Sequence, residues 1–326
     1  MNKSIKFIFN YILGIILFVV LCWNLFIQIK SQPDINIQWQ NIKESWKSYS
    51  FWTVFLLMFL NYGIEAKKWK ILVSHLENIS FKNAIKSVFA GCSITMLTPN
   101  RIGEYGGRIL FIAPEHRLAA ISVTVLGSLS QLMVTLFAGT AGLIIIKYSN
   151  FYSGNFQHLP WLIENVLLIV SLLACVISTL LYFHLSWVVK KISNYKIFNK
   201  VLKYLIVLND FSGQQLIRIV LLSFVRYLVF ILQYIIILYL MNVKIDMFLC
   251  FWILSIFFLI LAFAPTIGFI DLPLRAFAAV ALFKVYSENI AGIQAASFGI
   301  WIINLIIPAF IGSFLILGIK FLKQNE

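Results

Sequence analysis

Charge is scarce in this 326-residue chain: Asp, Glu, Lys and Arg make up 12% of it, against 61% hydrophobic residues. A soluble globular domain carries about 25% charged residues, so a water-facing surface is excluded. The mean hydropathy of +0.92 agrees. Strict apolar/polar alternation is missing too, which excludes a transmembrane barrel and leaves helices as the spanning element. Cysteines number four, and Cys22, Cys92, Cys175 and Cys250 all lie in apolar segments, where they read as packing residues and not as a disulfide framework. Four histidines are scattered without metal-ligand spacing. No metal site and no cofactor is expected. Acids are few: 12 against 26 basic residues, for a net charge of +14. The basic residues cluster in particular loops, as the positive-inside rule requires, so nucleic acid is not an expected partner.

What is present is a series of long apolar runs. A helix needs about 20 apolar residues to cross a hydrocarbon core of about 30 Å. The run 5–29 is too long for a signal-peptide core and reads as a retained anchor. The run 49–65 ends at Lys67, Lys68 and Lys70, which mark a cytoplasmic edge. Runs 118–146, 162–187, 216–240 and 290–322 are the remaining full spans. Two other stretches are interrupted. Segments 84–97 and 102–113 contain 14 and 12 residues, reaching only about 21 and about 18 Å as helices. Broken at Thr98-Pro99-Asn100, they form a hairpin that dips in and returns. A second hairpin is expected from 247–264 and 272–286. If 247–264 spans fully instead, the C-terminus changes side. The expected fold is an all-α polytopic membrane protein forming one transmembrane domain over 1–326. It has about six full spans plus two re-entrant hairpins. A basic amphipathic segment, 188–212, lies on the cytoplasmic side, as do both termini. Trp69, Trp161, Trp187 and Trp252 read as interfacial belt residues.

The two interruptions resemble each other. The first reads Pro99, Gly103, Glu104, Arg108; the second reads Pro265, Gly268, Asp271, Arg275. Each is a proline break, a glycine, an acid, and an arginine four residues after the acid. The charge count has them entering from opposite sides, which marks an inverted repeat with halves at 49–147 and 216–322. Arg101, Glu104 and Arg108 share one helix face, as do Asp271 and Arg275. An unpaired charge at the bilayer centre costs roughly 2.5–3.5 kcal/mol on insertion scales, so such residues pair or face a wet cavity. A broken helix also aims its N-terminal N–H groups at the membrane interior, where they favour an anion. Arginines beside it suit a phosphate. The expected phosphate-binding residues are therefore Arg101, Glu104, Arg108, Asp271 and Arg275, on a backbone shaped by Pro99, Gly103, Gly107, Pro265 and Gly268. The bland alternative is that Glu104 only neutralises Arg108 and the glycines only allow close packing. Arg226, Gln131 and Gln233 are further possible cavity residues. Gln131 and Asn304 equally suit interhelical hydrogen bonding, and Arg226 equally suits snorkelling at the interface.

"LTPNRIGEYGGRILFI" resembles the signature of the lysylphosphatidylglycerol synthase transmembrane-region family, also described as flippase-like, at Pro99, Arg101, Ile102, Gly103, Glu104 and Arg108. "EAKKWKILV" and "ISFKNAIKSVFAG" are similar to the stretches that precede this motif. "PTIGFIDLPLRAFA" matches the later motif at Pro265, Gly268 and Arg275, with Ala276 where the family often has Glu. "GSLSQL", Gly127 to Leu132, lacks the charged group often found there. The resemblance implies a membrane-embedded lipid handler, one able to move an anionic phospholipid or polyprenyl-phosphate-linked lipid between leaflets of the bacterial plasma membrane. The chain ends shortly after its last span, so lysyl transfer is not expected. Two other roles stand beside this one. One is a non-catalytic membrane partner of a lipid-linked glycosyltransferase or envelope biosynthesis enzyme, docked through the basic segment. The other, an intramembrane enzyme, lacks catalytic carboxylates, nucleophile–base pairs and metal clusters.

Overall fold

The computed structural model describes residues 43–95, 98, 102–148, 161–193, 199–264 and 271–323, together with 23, 26, 27 and 40. Every regular element among them is helical. Helix α1 is Tyr49–Val73, opened by the Ser48 hydroxyl accepting from the Ser50 N–H. It runs two turns past the apolar run that predicts it. Helix α2 is Phe81–Thr95 and α3 is the six-residue Gly103–Arg108. Two short 3-10 turns lead into α4, Arg117–Tyr148. Then come α5 (Trp161–Phe183), α6 (Leu185–Ser193) and α7 (Asn199–Leu205). Helix α8, Gly213–Leu240, starts at a reciprocal Ser212/Gln215 capping box. Helix α9, Met247–Phe263, is capped by the Asp246 carboxylate. Helices α10 (Asp271–Phe283), α11 (Ile290–Trp301) and α12 (Ile307–Lys323) complete the chain, with a π turn at Ile302–Ile306 joining the last two.

Four helical stretches among the described residues are long and apolar enough to cross a membrane: Pro114–Tyr148, Asn165–Phe183, Gly213–Leu240 and Ile290–Leu317. Helix α1 matches them in length, but its second half carries Glu65, Lys67, Lys68 and Lys70. Helices α2, α9 and α10 contain 15, 17 and 13 residues, so they reach only about 20–25 Å. The order long, short, short, long thus occurs twice, as α1 to α4 and as α8 to α12, with the tiny α3 standing in the first set. Along α5, Leu172, Leu173, Val176, Ile177 and Leu180 stay exposed. Such a face is unstable in water and suited to lipid. The protein is a multi-pass membrane protein.

Lipid offers no hydrophobic drive for helices to associate, so close approach has to come from small residues. Helix α1 packs on α8, α4 on α9, and α2 on both α3 and α12. A Cβ added at Gly107 would lie 2.3 Å from the Ala90 carbonyl oxygen; one at Gly103 would lie 2.3 Å from that of Ile94. At Gly312 it would lie 1.9 Å from the Phe89 oxygen, and at Gly139 2.4 Å from the Leu259 Cβ. These four positions hold α2, α3 and α12 together and seat α9 on α4. Gly106, by contrast, faces open space.

The π turn has a local cause. Pro308 has no N–H to return to the carbonyl four residues back, that of Asn304. The Tyr62 hydroxyl of α1 donates to that carbonyl at 2.5 Å. A proline in the last long helix therefore ties it to α1.

Gly107→Ala is expected to destabilise the protein by about 1–3 kcal/mol, since the backbone opposite cannot yield as a flexible side chain would. Gly106→Ala should be near neutral. Thermal unfolding midpoints of the two variants in one detergent check this. Equal midpoints would show that the α2–α3 contact is not tight.

Candidate functional site

Asn61, Glu65 and Lys68 follow one another at i, i+4 and i+7, so α1 presents them as one stripe facing inward. All three are buried, with exposures of 1%, 2% and 2%. Glu65 is the centre of an ion network. Its Oε1 accepts from Arg108 Nη2 at 2.6 Å, and its Oε2 from Arg226 Nη1 at 2.7 Å. Lys68 Nζ lies 2.9 Å from Oε2. One carboxylate thus joins α1 to α3 and to α8. Arg108 also pairs with Glu104 one turn earlier on α3. Its guanidinium lies 5.4 Å from the centre of the Trp69 ring, a cation–π contact. Arg226 Nε donates to Asn61 Oδ1 at 2.7 Å. Behind the carboxylate, Lys68 Nζ approaches the Ser223 hydroxyl at 3.3 Å and the Gly127 carbonyl at 3.4 Å. Ser130 and Ser223 share a hydrogen bond of 2.8 Å.

Asn61, Glu65, Glu104, Arg108 and Arg226 form one wall of a cavity of about 300 Å³. The opposite wall brings Asp271 and Arg275 from α10, paired at 2.8 Å. Both acid–arginine pairs with i, i+4 spacing, one from each interruption, therefore line the same space. Gln131, Trp301 and Asn304 line it too, and Phe230, Phe258 and Leu261 supply apolar surface. Three acids (Glu65, Glu104, Asp271) and three arginines (Arg108, Arg226, Arg275) face the cavity, so its ionic lining is formally neutral; Lys68 behind it adds one positive charge.

Accessibility divides the charges. The side chains of Glu65 and Arg108 are 3% and 4% exposed, whereas those of Arg226 and Arg275 keep 23% and 17%. Glu104 keeps 25% and Asp271 11%. The inner charges are locked by mutual bonding, and the outer ones can meet a ligand. Several buried polar atoms at the lining lack a protein partner: Asn61 Nδ2, Arg108 Nε, Gln131 Oε1, Trp301 Nε1 and Asn304 Oδ1. A buried polar group of this kind is stable only against water or a polar ligand. The arrangement can bind an anion on two partly accessible guanidiniums: Arg226, which also bonds Glu65 and Asn61, and Arg275, which pairs with Asp271.

Of the residues expected from sequence, Glu104, Arg108, Asp271 and Arg275 meet at the cavity, with Arg226 and Gln131. Arg101, Pro99, Pro265 and Gly268 lie outside the described residues. Gln233 does not line the cavity. Seven residues carry it about 10 Å along the helix from Arg226, where it is fully buried and donates to the Val54 carbonyl at 2.9 Å. The helix-terminus expectation also changes at the first hairpin. Helix α3 has six residues, and the Thr98 hydroxyl accepts its first N–H, that of Gly103, at 2.7 Å. The anion reading therefore rests on side chains. Trp69 is not in the interfacial belt but fully buried, packed against Arg108. The basic triplet at the end of the second run also divides: Lys67 and Lys70 are exposed, while Lys68 turns inward three residues after Glu65.

The sequence reading missed Glu65, Lys68 and Asn61. Their i, i+4, i+7 spacing was the available signal, hidden because Glu65 stands where the apolar run ends. The fold and its ionic core define a multi-pass α-helical membrane protein with charge buried at the junction of its helices. The chain belongs to the family described as "Lysylphosphatidylglycerol synthase TM region", whose family model matches residues 11–312. No curated protein and no solved structure matches it at a significant level.

Removing one partner from a buried ion pair costs roughly 3–5 kcal/mol, because the other charges stay desolvated. Glu65→Gln is expected to lose about that much stability, and Glu104→Gln, whose side chain is 25% exposed, about 1 kcal/mol or less. Unfolding midpoints in detergent check the order. A Glu65→Gln protein as stable as Glu104→Gln would show that the network is not structural.

Proposed function

We propose that this protein is a flippase-like lipid translocase of the bacterial plasma membrane, and that its cavity receives the phosphate of an anionic phospholipid or polyprenyl-phosphate-linked lipid. The observation that carries the reading is the meeting of two acid–arginine pairs, from separate helix interruptions, at one cavity inside a membrane protein. Membership in a family described by a lipid synthase's membrane region supports a role in lipid metabolism or transport.

In this mechanism the accessible guanidiniums of Arg226 and Arg275 take the phosphate oxygens, a geometry guanidinium matches bidentately. Arg101, on the chain leading into α3, would add a third. Asp271 and Glu104 compete with the phosphate for their own arginines. A lining that is formally neutral holds an anion weakly enough to release it. The twofold order of long and short helices supports a repeat with the cavity between its halves; the basic residues near each end of the sequence support termini in the cytoplasm. No step of this mechanism makes or breaks a covalent bond.

A second reading, a non-catalytic partner of an envelope biosynthesis enzyme, draws on the exposed Lys190, Lys191 and Lys203 of α6 and α7. Anionic lipid headgroups explain those lysines equally well, and that reading leaves the cavity without a purpose.

The test is headgroup exposure of a fluorescent phosphatidylglycerol in vesicles containing the purified protein. Loss of a charge-assisted contact worth about 1.5 kcal/mol slows transfer about tenfold. Arg275→Gln should show this loss while keeping an unfolding midpoint above that of Glu65→Gln, and Lys191→Ala with Lys203→Ala should not. Transfer at the wild-type rate by Arg275→Gln would overturn the proposal.

A further inference from the structure

The polar lining does not stop at the cavity. Gln294, Ser297, Trp301 and Asn304 follow at spacings of three, four and three, which places them along a single stripe of α11 and the π turn. Trp301 and Asn304 line the cavity. Gln294 and Ser297 lie farther along, toward the Ile290 end, so the stripe covers about 15 Å in all. Gln294 is 7% exposed and Ser297 1%. Neither amide atom of Gln294 has a hydrogen-bond partner. The Ser297 hydroxyl is placed against that of the buried Tyr234 on α8, an interhelical contact of the ordinary kind. Trp301 Nε1 and Asn304 Oδ1, like the Gln294 amide, are without partners.

Interhelical hydrogen bonding is the ordinary reason for a polar residue in a spanning helix. It does not account for Gln294, for Trp301 Nε1 or for Asn304 Oδ1, which have no partner. Gln294 is the clearest case: a whole carboxamide is held inside the protein next to lipid with neither end satisfied, which is costly unless water or a polar ligand reaches it. The stripe is also uncharged. Amide, hydroxyl and indole N–H groups donate to phosphate oxygens without holding them as guanidinium does.

We infer that the cavity continues as a hydrated track along α11, past Ser297 to Gln294, by which a phosphate headgroup leaves the arginines. This rests on the translocase reading for its cargo, but the wetness of the track can be tested without it. At its far end the track meets a fixed turn. Asn289 donates to the Met241 carbonyl at 2.9 Å and accepts from the Gly292 N–H at 2.8 Å.

The experiment places single cysteines at Gln294, Ser297 and Ala296 in a chain whose four native cysteines are replaced by alanine. Each is treated, in vesicles, with a water-soluble maleimide. Gln294→Cys and Ser297→Cys should react about tenfold or more faster than Ala296→Cys, since a thiol must ionise and be reached by water to react. Ala296 is fully buried on the apolar side of the same helix. Reaction of all three at one slow rate would overturn the track. Gln294→Leu should also slow fluorescent phosphatidylglycerol transfer several-fold; transfer at the wild-type rate would overturn the headgroup route. If wild-type protein moves no lipid, the translocase reading fails, while the labelling still decides whether the track is wet.

Discussion

One carboxylate organises this protein. Glu65 sits on a helix inside a membrane, almost without exposure, and takes hydrogen bonds or ion pairs from Arg108, Arg226 and Lys68. Those cations come from three different helices. None is tolerable there alone, because lipid and packed protein provide no dielectric to shield it. The four groups bond one another where no solvent is at hand. This constraint explains why α1, α3 and α8 converge, and why α3 can be so short. Its position is set by bonding to a neighbour, with glycine contacts to α2 bringing it close enough.

The network also determines what is left over for a ligand. Glu65 uses both oxygens, and Arg108 is engaged by two acids and an aromatic face. Arg226 and Arg275 are less enclosed. A cavity built this way grades its charges: Glu65 and Arg108 are enclosed, while Arg226 joins their network and, like Arg275, stays partly open to a ligand. A buried ionic network is not by itself a strong source of stability, since desolvation offsets much of the attraction. Its value here is in position, because it fixes where guanidinium groups stand inside a low-dielectric medium.

The π turn at Ile302–Ile306 serves the same end. Pro308 frees the Asn304 carbonyl, and Tyr62 takes it. The π turn that results carries Asn304 to the cavity lining, and its flanking residue Trp301 lies there as well. Irregular backbone inside a membrane survives only where protein or water satisfies it. The π turn is therefore found beside the cavity, where hydroxyl and amide groups are at hand, and not along lipid-facing α5.

Much of this was legible from sequence. The apolar runs announced helices in a membrane, since their length and composition admit no other solution. The acid-to-arginine spacing at Glu104–Arg108 and Asp271–Arg275 announced two paired charges, because a helix places i and i+4 side by side whatever surrounds it. Distance along the chain gave no sign that these two pairs would share a cavity, more than 160 residues apart as they are. The same holds for Glu65, a residue at the end of an apolar run with ordinary lysines after it, and for Lys68, which looked like its solvent-facing neighbours. Gln233 looked like a cavity residue because it shares a face with Arg226, yet the cavity ends before reaching it. Local periodicity is a property of one helix, so sequence reveals faces. Which faces meet depends on how separate helices pack, and only the tertiary structure decides that.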